Sequence, residues 1–569
     1  MKFKYAMTLK ELKTRTSKKT YKPVVFLSRN DRELKKLTEE DFKVLKHLTF
    51  AAKIIDDIYM KLNHPLNNEF LKFFEEGEQK GEQKAILAKK MFLSQKGIFS
   101  PDSLGNQTVL LSDFEKPLGL GFYPLDLSTE EFAEIINTML DNGKKEEVRK
   151  ILSTRSIVVR DGKLLKGIDI VDYFADEFKK ISIELKKASL YSDDKKFNKY
   201  LEFQAKAFEK ADPLLDAKAD MYWAGLEKTK FEFTITRECY NEKMTISLLD
   251  NEKIMKKLND LKFEVRQKDE IGARVGLINK KGTKILKQLK TLVDIAAKYM
   301  PYKDEYINVC ESDNIPQTAV DVDLVWLAGD EGAYRASIVT AQNLPNDDKL
   351  SLQLGGGRRN VYHRQVRKKT NKKLYKNLIC SEQFKYFSPD ADHWAVICHE
   401  NTHTLGPKTH ENLGIYNAIL EEYKADMGMY AFLNEFKNEN MFSEEQINQI
   451  MVSSLSKSFL KGKPSISQAH RTRSVMICNR LLTEKAIIIN DENKLYFDFE
   501  KIKNTTKEMM KEVVRIQIDN KFANAKQYVE KWFVWSDEIN KVAEIIKSQS
   551  KMLNGYIDAP LAYEFLNEN

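Results

Sequence analysis

Apolar residues in the first part of the chain recur at three- and four-residue steps. They run through Leu45, Leu48, Ala52, Ile55 and Tyr59, the period of a helix with one buried face. Leu37-Thr38-Glu39-Glu40-Asp41 reads as the start of that helix, and helical patterning covers 30–95. Within it, GEQKGEQK at 77–84 is a short duplication, read as a solvated helix face or loop. Pro and Gly then crowd a loop from Phe99 to Asp126. Ser128-Thr129-Glu130-Glu131 carries the signature of a capping box and predicts helix again, continuing to about 228. Near Phe231 the period changes. FEFTITREC alternates, and RVGLIN at 274–279 and VDLVWLAG at 322–329 are strand-like, with a helical segment Thr283–Tyr299 between them. LGGGRRNVYHRQVRKKTNKK, 354–373, is a Gly-rich basic loop or ribbon, and from about 380 the pattern is again mostly helical. The fold class expected is α+β, a helical majority with a modest sheet from the middle of the chain.

A chain of 569 residues exceeds what one hydrophobic core organises, so two or more domains or lobes are expected. Its 42% hydrophobic content argues against wholesale disorder. Net charge is +9, from 93 basic and 84 acidic residues, and the mixing of signs does not call for nucleic acid. Five cysteines, widely spaced and with no CxxC, fit a reducing compartment rather than a disulfide framework. The first residues contain no apolar stretch of a signal peptide, and no run of eighteen apolar residues occurs; a soluble cytoplasmic protein is the expectation, with no membrane partner.

The candidate chemistry lies in ADHWAVICHENTHTLGP. The segment predicts a helix from about Asp392 to Thr404, stopped by Gly406-Pro407. His399 and His403 stand four apart, on one helical face, so both imidazoles can reach one ion. Glu400 is one step round, suited to act as a base on a metal-bound water. A catalytic zinc needs a third ligand and an open position. AILEEYKADMGMYAFL supplies a second helix, with apolar Ile419, Tyr423, Met427 and Tyr430 and acidic Glu421, Glu422 and Asp426. Eighteen residues separate His403 from Glu422, enough for a turn and an antiparallel return. Asp426, one turn beyond Glu422, is placed to accept from the far nitrogen of a ligating histidine. His393 points elsewhere on the first helix, and His410, beyond the Gly-Pro break, is not counted as a ligand.

HENTH followed by EEYKAD resembles the dipeptidyl peptidase III family of zinc peptidases, whose pattern is HExxGH followed by EECRAE. Further segments are similar to that family in the same order: TITRECYNE at 234–242, DEIGARVGLINK at 269–280, AGDEGAYRASIVTAQNLPNDD at 328–348 and SQAHRTRSVMICNRLL at 467–482. The resemblance covers at least 230–485 and is faint before it, where GFYPLDLSTEEF at 121–132 is the best piece. It implies one Zn2+ per chain held by His399, His403 and Glu422, with Glu400 as general base and Glu421 and Asp426 behind the ligands. It implies that His470 and Tyr240 stabilise the transition state, that Glu238 holds a peptide's free amino terminus, and that Asn343, Asn346 and Arg473 contact substrate. The expected architecture is two lobes around a wide cleft, a mostly helical lobe carrying zinc and a mixed lobe with a small sheet or barrel. The expected division is 1–279 in the lower lobe, 280–325 in the upper, 326–375 back in the lower, 376–545 in the upper with the zinc site, and 546–569 as a tail packing on the lower lobe. The departures from the family are a pentapeptide in place of the hexapeptide, Lys424 for the family's arginine, Asp426 for its final glutamate, a shorter gap between the zinc motifs, and an offset of one at Arg473.

The implied activity is release of dipeptides from the N-terminus of short peptides. The alternatives are another zinc aminopeptidase or hydrolase, a zinc-containing peptide-binding protein without turnover, and nucleic-acid binding through Arg358, Arg359, Arg364, Arg367, Lys368 and Lys369. That run reads more readily as a solvated ribbon lining the cleft. Without the resemblance, Asn343 and Asn346 flank Pro345 as a turn, Tyr240 is a half-buried strand aromatic, and His470 is a helix cap or surface residue.

Overall fold

The structure is a computed structural model that describes residues 3–101, 107–226, 228–238, 242–263, 265–283, 291–307, 317–329, 341–344, 349–363, 372–407, 411–466, 468–549 and 554–568. Helices dominate both ends of the chain, and the middle contributes a five-stranded mixed sheet. Its strands are β1 (Phe231–Glu238), β2 (Glu270–Ile278), β3 (Gln317–Ala328), β4 (Ala341–Leu344) and β5 (Arg358–His363), in the spatial order β1-β2-β3-β5-β4. β2 is antiparallel to both β1 and β3, β5 runs parallel to β3, and β4 closes the far edge antiparallel to β5. Nearly every residue of β2 and β3 is buried, as expected of strands covered on both faces. The helix α1 (Glu39–Asn63) packs across β2 and β3; it begins where the sequence places a helix start, and the structure closes that start with a capping box between Thr38 and Asp41.

Buried apolar side chains form two large cores and a smaller one. The first unites α1, the helices between Thr129 and Ala224, the sheet, and Ala559, Leu561, Ala562 and Phe565 near the C-terminus. The second unites Leu292–Met300 with the helical region from Leu374 to Ile546. β5 is the seam between them. Its side chains alternate, so Val361 belongs to the first core and Tyr362 to the second. The C-terminal strand Asn554–Asp558 pairs in parallel with Tyr21–Val25, which ties the tail to the first core.

Several sequence expectations need correction. The division at 325 cuts through β3, one continuous strand whose residues 320–328 are buried in the first core. The stretch to 228 is not wholly helical. Ser156–Asp161 and Leu164–Asp169 form an antiparallel hairpin around Gly162 at φ +60, and the Asp-Gly pair is its turn signal. At Ser128 only half of the capping box closes. The hydroxyl accepts from Glu131 N, while the Glu131 carboxylate is taken by Arg160, at 2.5 and 2.9 Å. Arg359 is not part of a solvated ribbon: its side chain is fully buried. Arg364, Arg367, Lys368 and Lys369 lie outside the described residues.

Candidate metal centre

Three helices build the site: α2 (Pro389–Thr402), α3 (Tyr416–Ala431) and α4 (Ala469–Thr483). α2 starts three residues earlier than its pattern suggests, because Pro389 fits the first helical turn, where its missing N–H costs nothing. It ends at Thr402, with His403 as the C-cap. Thr404 N bonds Asn401 O at 3.1 Å and Leu405 N bonds Thr402 O at 2.9 Å, a tighter turn that leads to Gly406 at φ +92. α3 is buried from Tyr423 through Ala431 without a break. Gly428 makes its approach to α2 possible. A Cβ there would lie 2.2 Å from Thr402 Cγ2 and Oγ1, so a residue that weakens the helix is what lets the two helices close.

The closeness brings the sequence-predicted ligands together. His399 Nε2 lies 3.3 Å from His403 Nε2 and 3.2 Å from Glu422 Oε2, and His403 Nε2 is 3.9 Å from Glu422 Oε1. One donor atom from each residue falls within 4.8 Å of the others. The far side of each imidazole is held by a carboxylate. His399 Nδ1 is 2.7 Å from Asp426 Oδ1, and His403 Nδ1 is 3.0 Å from Glu421 Oε1. A carboxylate only accepts, so both Nδ1 atoms carry the proton. With the imidazoles uncharged, the form that binds a metal, each turns an Nε2 lone pair toward the other and toward Glu422. Acceptors facing acceptors repel unless a cation lies between them. Two imidazoles and a carboxylate, with carboxylates fixing the tautomers behind, fit a divalent ion of the zinc type.

Around this centre, burial opposes ionisation of Glu422, but the charge and hydrogen bond of His470 draw its carboxyl well below the usual range. His470, on the first turn of α4 with half its side chain exposed, places Nδ1 2.8 Å from Glu422 Oε2. Arg473 pairs with Asp426 and keeps Nε 3.8 Å from Glu422 Oε2. Glu400 is buried beside His399. Burial pushes the Cys398 thiol up to about 12, so the neighbouring cysteine stays protonated and outside the ligand set.

The remaining predicted positions fall elsewhere. Glu238 ends β1, and Asn343 lies on β4 in register with Asn360, their side chains being outside the description, as is that of His393. Tyr240, Asn346 and His410 lie outside the described residues. β4 packs against α2, and across the seam Asn360 Nδ2 donates to Asn401 Oδ1 at 2.9 Å. Three residues escaped sequence reasoning. Tyr362 sits on the face of β5 toward α2, where burial first, and then Glu400 and Cys398, raise its hydroxyl pKa well above normal. Lys424 is buried against Glu421, and Gly428 sets the helix spacing. Lys424 was visible only as a departure from a motif.

No family model matches the chain. Nudix hydrolase 3 of Arabidopsis thaliana is 24% identical over 553 residues, covering 87% of this chain and 67% of that protein. The structure of DPP III from Caldithrix abyssi superposes with a TM-score of 0.75 at 23% identity, covering 96% of this chain and 98% of that one. Dipeptidyl-peptidase III from Corallococcus sp. strain EGB superposes with a TM-score of 0.79 at 18% identity, covering 100% and 99%. Both likenesses span nearly the whole of each molecule, so the resemblance read from short motifs extends to the complete architecture, and the chain has the dipeptidyl peptidase III fold.

Proposed function

We propose that this chain is a zinc-dependent exopeptidase that releases dipeptides from the free amino terminus of short peptides. The observation that carries the reading is the convergence of His399 Nε2, His403 Nε2 and Glu422 on one point, with both Nδ1 atoms committed to carboxylates. The shared fold supports a peptidase as the reaction class. At 24% identity, the likeness to the Nudix hydrolase carries no activity over to this chain.

His399, His403 and Glu422 would hold the ion, which when bound supplies a water of lowered pKa, about 7, and Lewis-acid polarisation of a carbonyl. Glu400 follows His399 directly on α2. Its carboxylate takes a proton from the attacking water and passes it to the departing amine. His470, half exposed on α4, donates to the oxygen on which negative charge develops, and Tyr240 is assigned the same part. An extended peptide lies along β4. Among the described residues that strand pairs only with β5, so its outer edge can add a strand. Asn343 and Asn346 grip the peptide backbone, Glu238 receives the terminal ammonium, and Arg473 meets substrate from α4 while keeping Asp426 in place. No described helix is long and apolar enough to cross a membrane.

Product analysis on two pentapeptides tests this directly, one with a free amino terminus and one acetylated. Dipeptides from the free peptide alone are the expected result. Release of single residues would assign an aminopeptidase instead, and a Glu400→Ala protein with full activity would rule out the mechanism.

A further inference from the structure

We propose that Lys424 is a positioning residue for the metal centre and sets how tightly the chain holds its ion; this rests on the reading of His399, His403 and Glu422 as ligands. The two histidines are not equivalent. His399 is inside α2, its backbone fixed by the helix, whereas His403 stands past the last helical residue, as the C-cap. Something other than helical hydrogen bonding must define where His403 points.

Lys424 is placed to do so. Its side chain is 2% exposed, and its ammonium makes two contacts. One is to Leu405 O at 2.6 Å, in the turn that carries the chain away from His403. The other is to Glu421 Oε1 at 2.9 Å, the oxygen that also accepts from His403 Nδ1 at 3.0 Å. The second oxygen, Glu421 Oε2, is held at 3.1 Å by Gln517 of the long helix α5 (Phe499–Asp519). The turn is moulded around the lysine. A Cβ on Gly406 would come within 3.2 Å of Lys424 Cδ and 3.3 Å of Nζ. The lysine therefore ties the turn after α2 to the carboxylate that orients His403. Burying a lysine head group is costly unless it is well paired, so its place here is specific. The arm behind His399 differs. Asp426 is backed by Arg473, which stands on α4 beside His470, where substrate is proposed to bind. Lys424 is buried, with its contacts to Glu421 and Leu405 rather than to His470 or Arg473, so its replacement reads out metal positioning.

The test is zinc affinity of the full chain, by competition with a chromophoric chelator, for wild type, Lys424→Met and Lys424→Arg, with the visible spectrum of the Co2+-substituted proteins as a second readout. Lys424→Met removes the ammonium at nearly constant volume. The affinity is expected to fall about 10–100-fold, the range for loss of a group supporting a ligand, and the cobalt spectrum to shift. Lys424→Arg keeps a cation and donors and should lose less. If Lys424→Met does not fold, Lys424→Gln takes its place, with a loss of about 10-fold or more expected on the same ground. A folded Met or Gln variant with wild-type affinity and spectrum overturns the proposal. Wild-type protein that binds no zinc would instead overturn the metal reading beneath it.

Discussion

Two clusters of buried charge in this molecule look alike by composition and differ in direction. Under the sheet, Arg359 and Glu232 are both 0% exposed and pair at 2.8 Å. Glu232 Oε2 also takes Arg359 Nε at 3.2 Å, and Oε1 accepts from Trp223 Nε1 at 2.7 Å and Thr234 Oγ1 at 2.8 Å. Arg359 Nη1 goes on to Thr318 Oγ1 at 3.0 Å and to Leu226 O. Donors meet acceptors, and the cluster is closed on itself. Between α2 and α3 the imidazole donors point away from the centre, the Nδ1 atoms to carboxylates and those carboxylates to Lys424, Gln517 and Arg473, while His470 reaches one oxygen of Glu422 from α4. Three acceptors are left facing one another. Burial of charge is common to both clusters and marks neither as functional; the convergence of three possible ligand atoms is what makes the second a candidate metal centre.

The widest separation between the clusters should come from chemistry. Glu400→Gln leaves the three ligands in place and is expected to lower peptide turnover about 10²–10⁴-fold, the usual contribution of a positioned acid–base group, with zinc content unchanged. A loss of zinc along with activity would instead make Glu400 part of the metal's support.

Stability should separate them next. Arg359→Met strands a buried carboxylate and is expected to cost about 3–5 kcal/mol in urea unfolding, with most of it regained in the double variant Arg359→Met/Glu232→Gln. That loss should be the same with and without chelator. A chelator-dependent loss would link the two clusters and break the comparison.

Histidines sharpen it further. His64 is buried among Phe70, Phe99 and Phe114, with Nδ1 accepting from Leu66 N at 3.1 Å, and burial pushes its pKa down to about 4. A depressed basic group binds its proton more readily in the unfolded chain. Its contribution is therefore complete above about pH 6.5, falls as pH drops toward 4, and amounts to about 3 kcal/mol over that window. Stability measured from pH 7 to 4 should decline less steeply for His64→Gln; an unchanged slope contradicts the assignment. His399 and His403, each with a carboxylate on Nδ1, are the contrasting arrangement.

The smallest effect concerns spacing. Gly428→Ala forces a methyl against Thr402 and is expected to cost about 1–3 kcal/mol by overpacking. Chelator competition should show weakened zinc binding in the same variant, because α2 and α3 carry the ligands. Destabilisation with unaltered affinity would mean that the spacing matters to packing alone.

These contrasts also show why some of the site was legible and some was not. His399, His403 and Glu400 follow from helical periodicity, a property of local sequence, and Asp426 follows from its place one turn after Glu422. Alternation or dense apolar character in FEFTITREC, in 274–279 and in 322–329 marks the strands at 231–238, 270–278 and 317–328, although it reaches only the later part of the second and third. Lys424 and Gly428 did not, since their parts depend on how closely α2 meets α3, a tertiary distance that no local pattern encodes. Arg359 read as surface because a run of basic residues in one dimension says nothing of strand alternation, which turns it under the sheet toward Glu232. Arg473, expected at substrate from the resemblance alone, is found paired with Asp426.

The central claim is that the facing acceptors of His399, His403 and Glu422 are a zinc site. Metal content of the purified full-length chain, measured beside that of Glu422→Gln, tests it most directly. The account predicts one zinc per wild-type chain, removable by chelator and restored on re-addition, and a stoichiometric deficit in the variant. Wild-type chain without zinc that also fails to take it up on addition, or a variant that retains it in full, would contradict the account at its base.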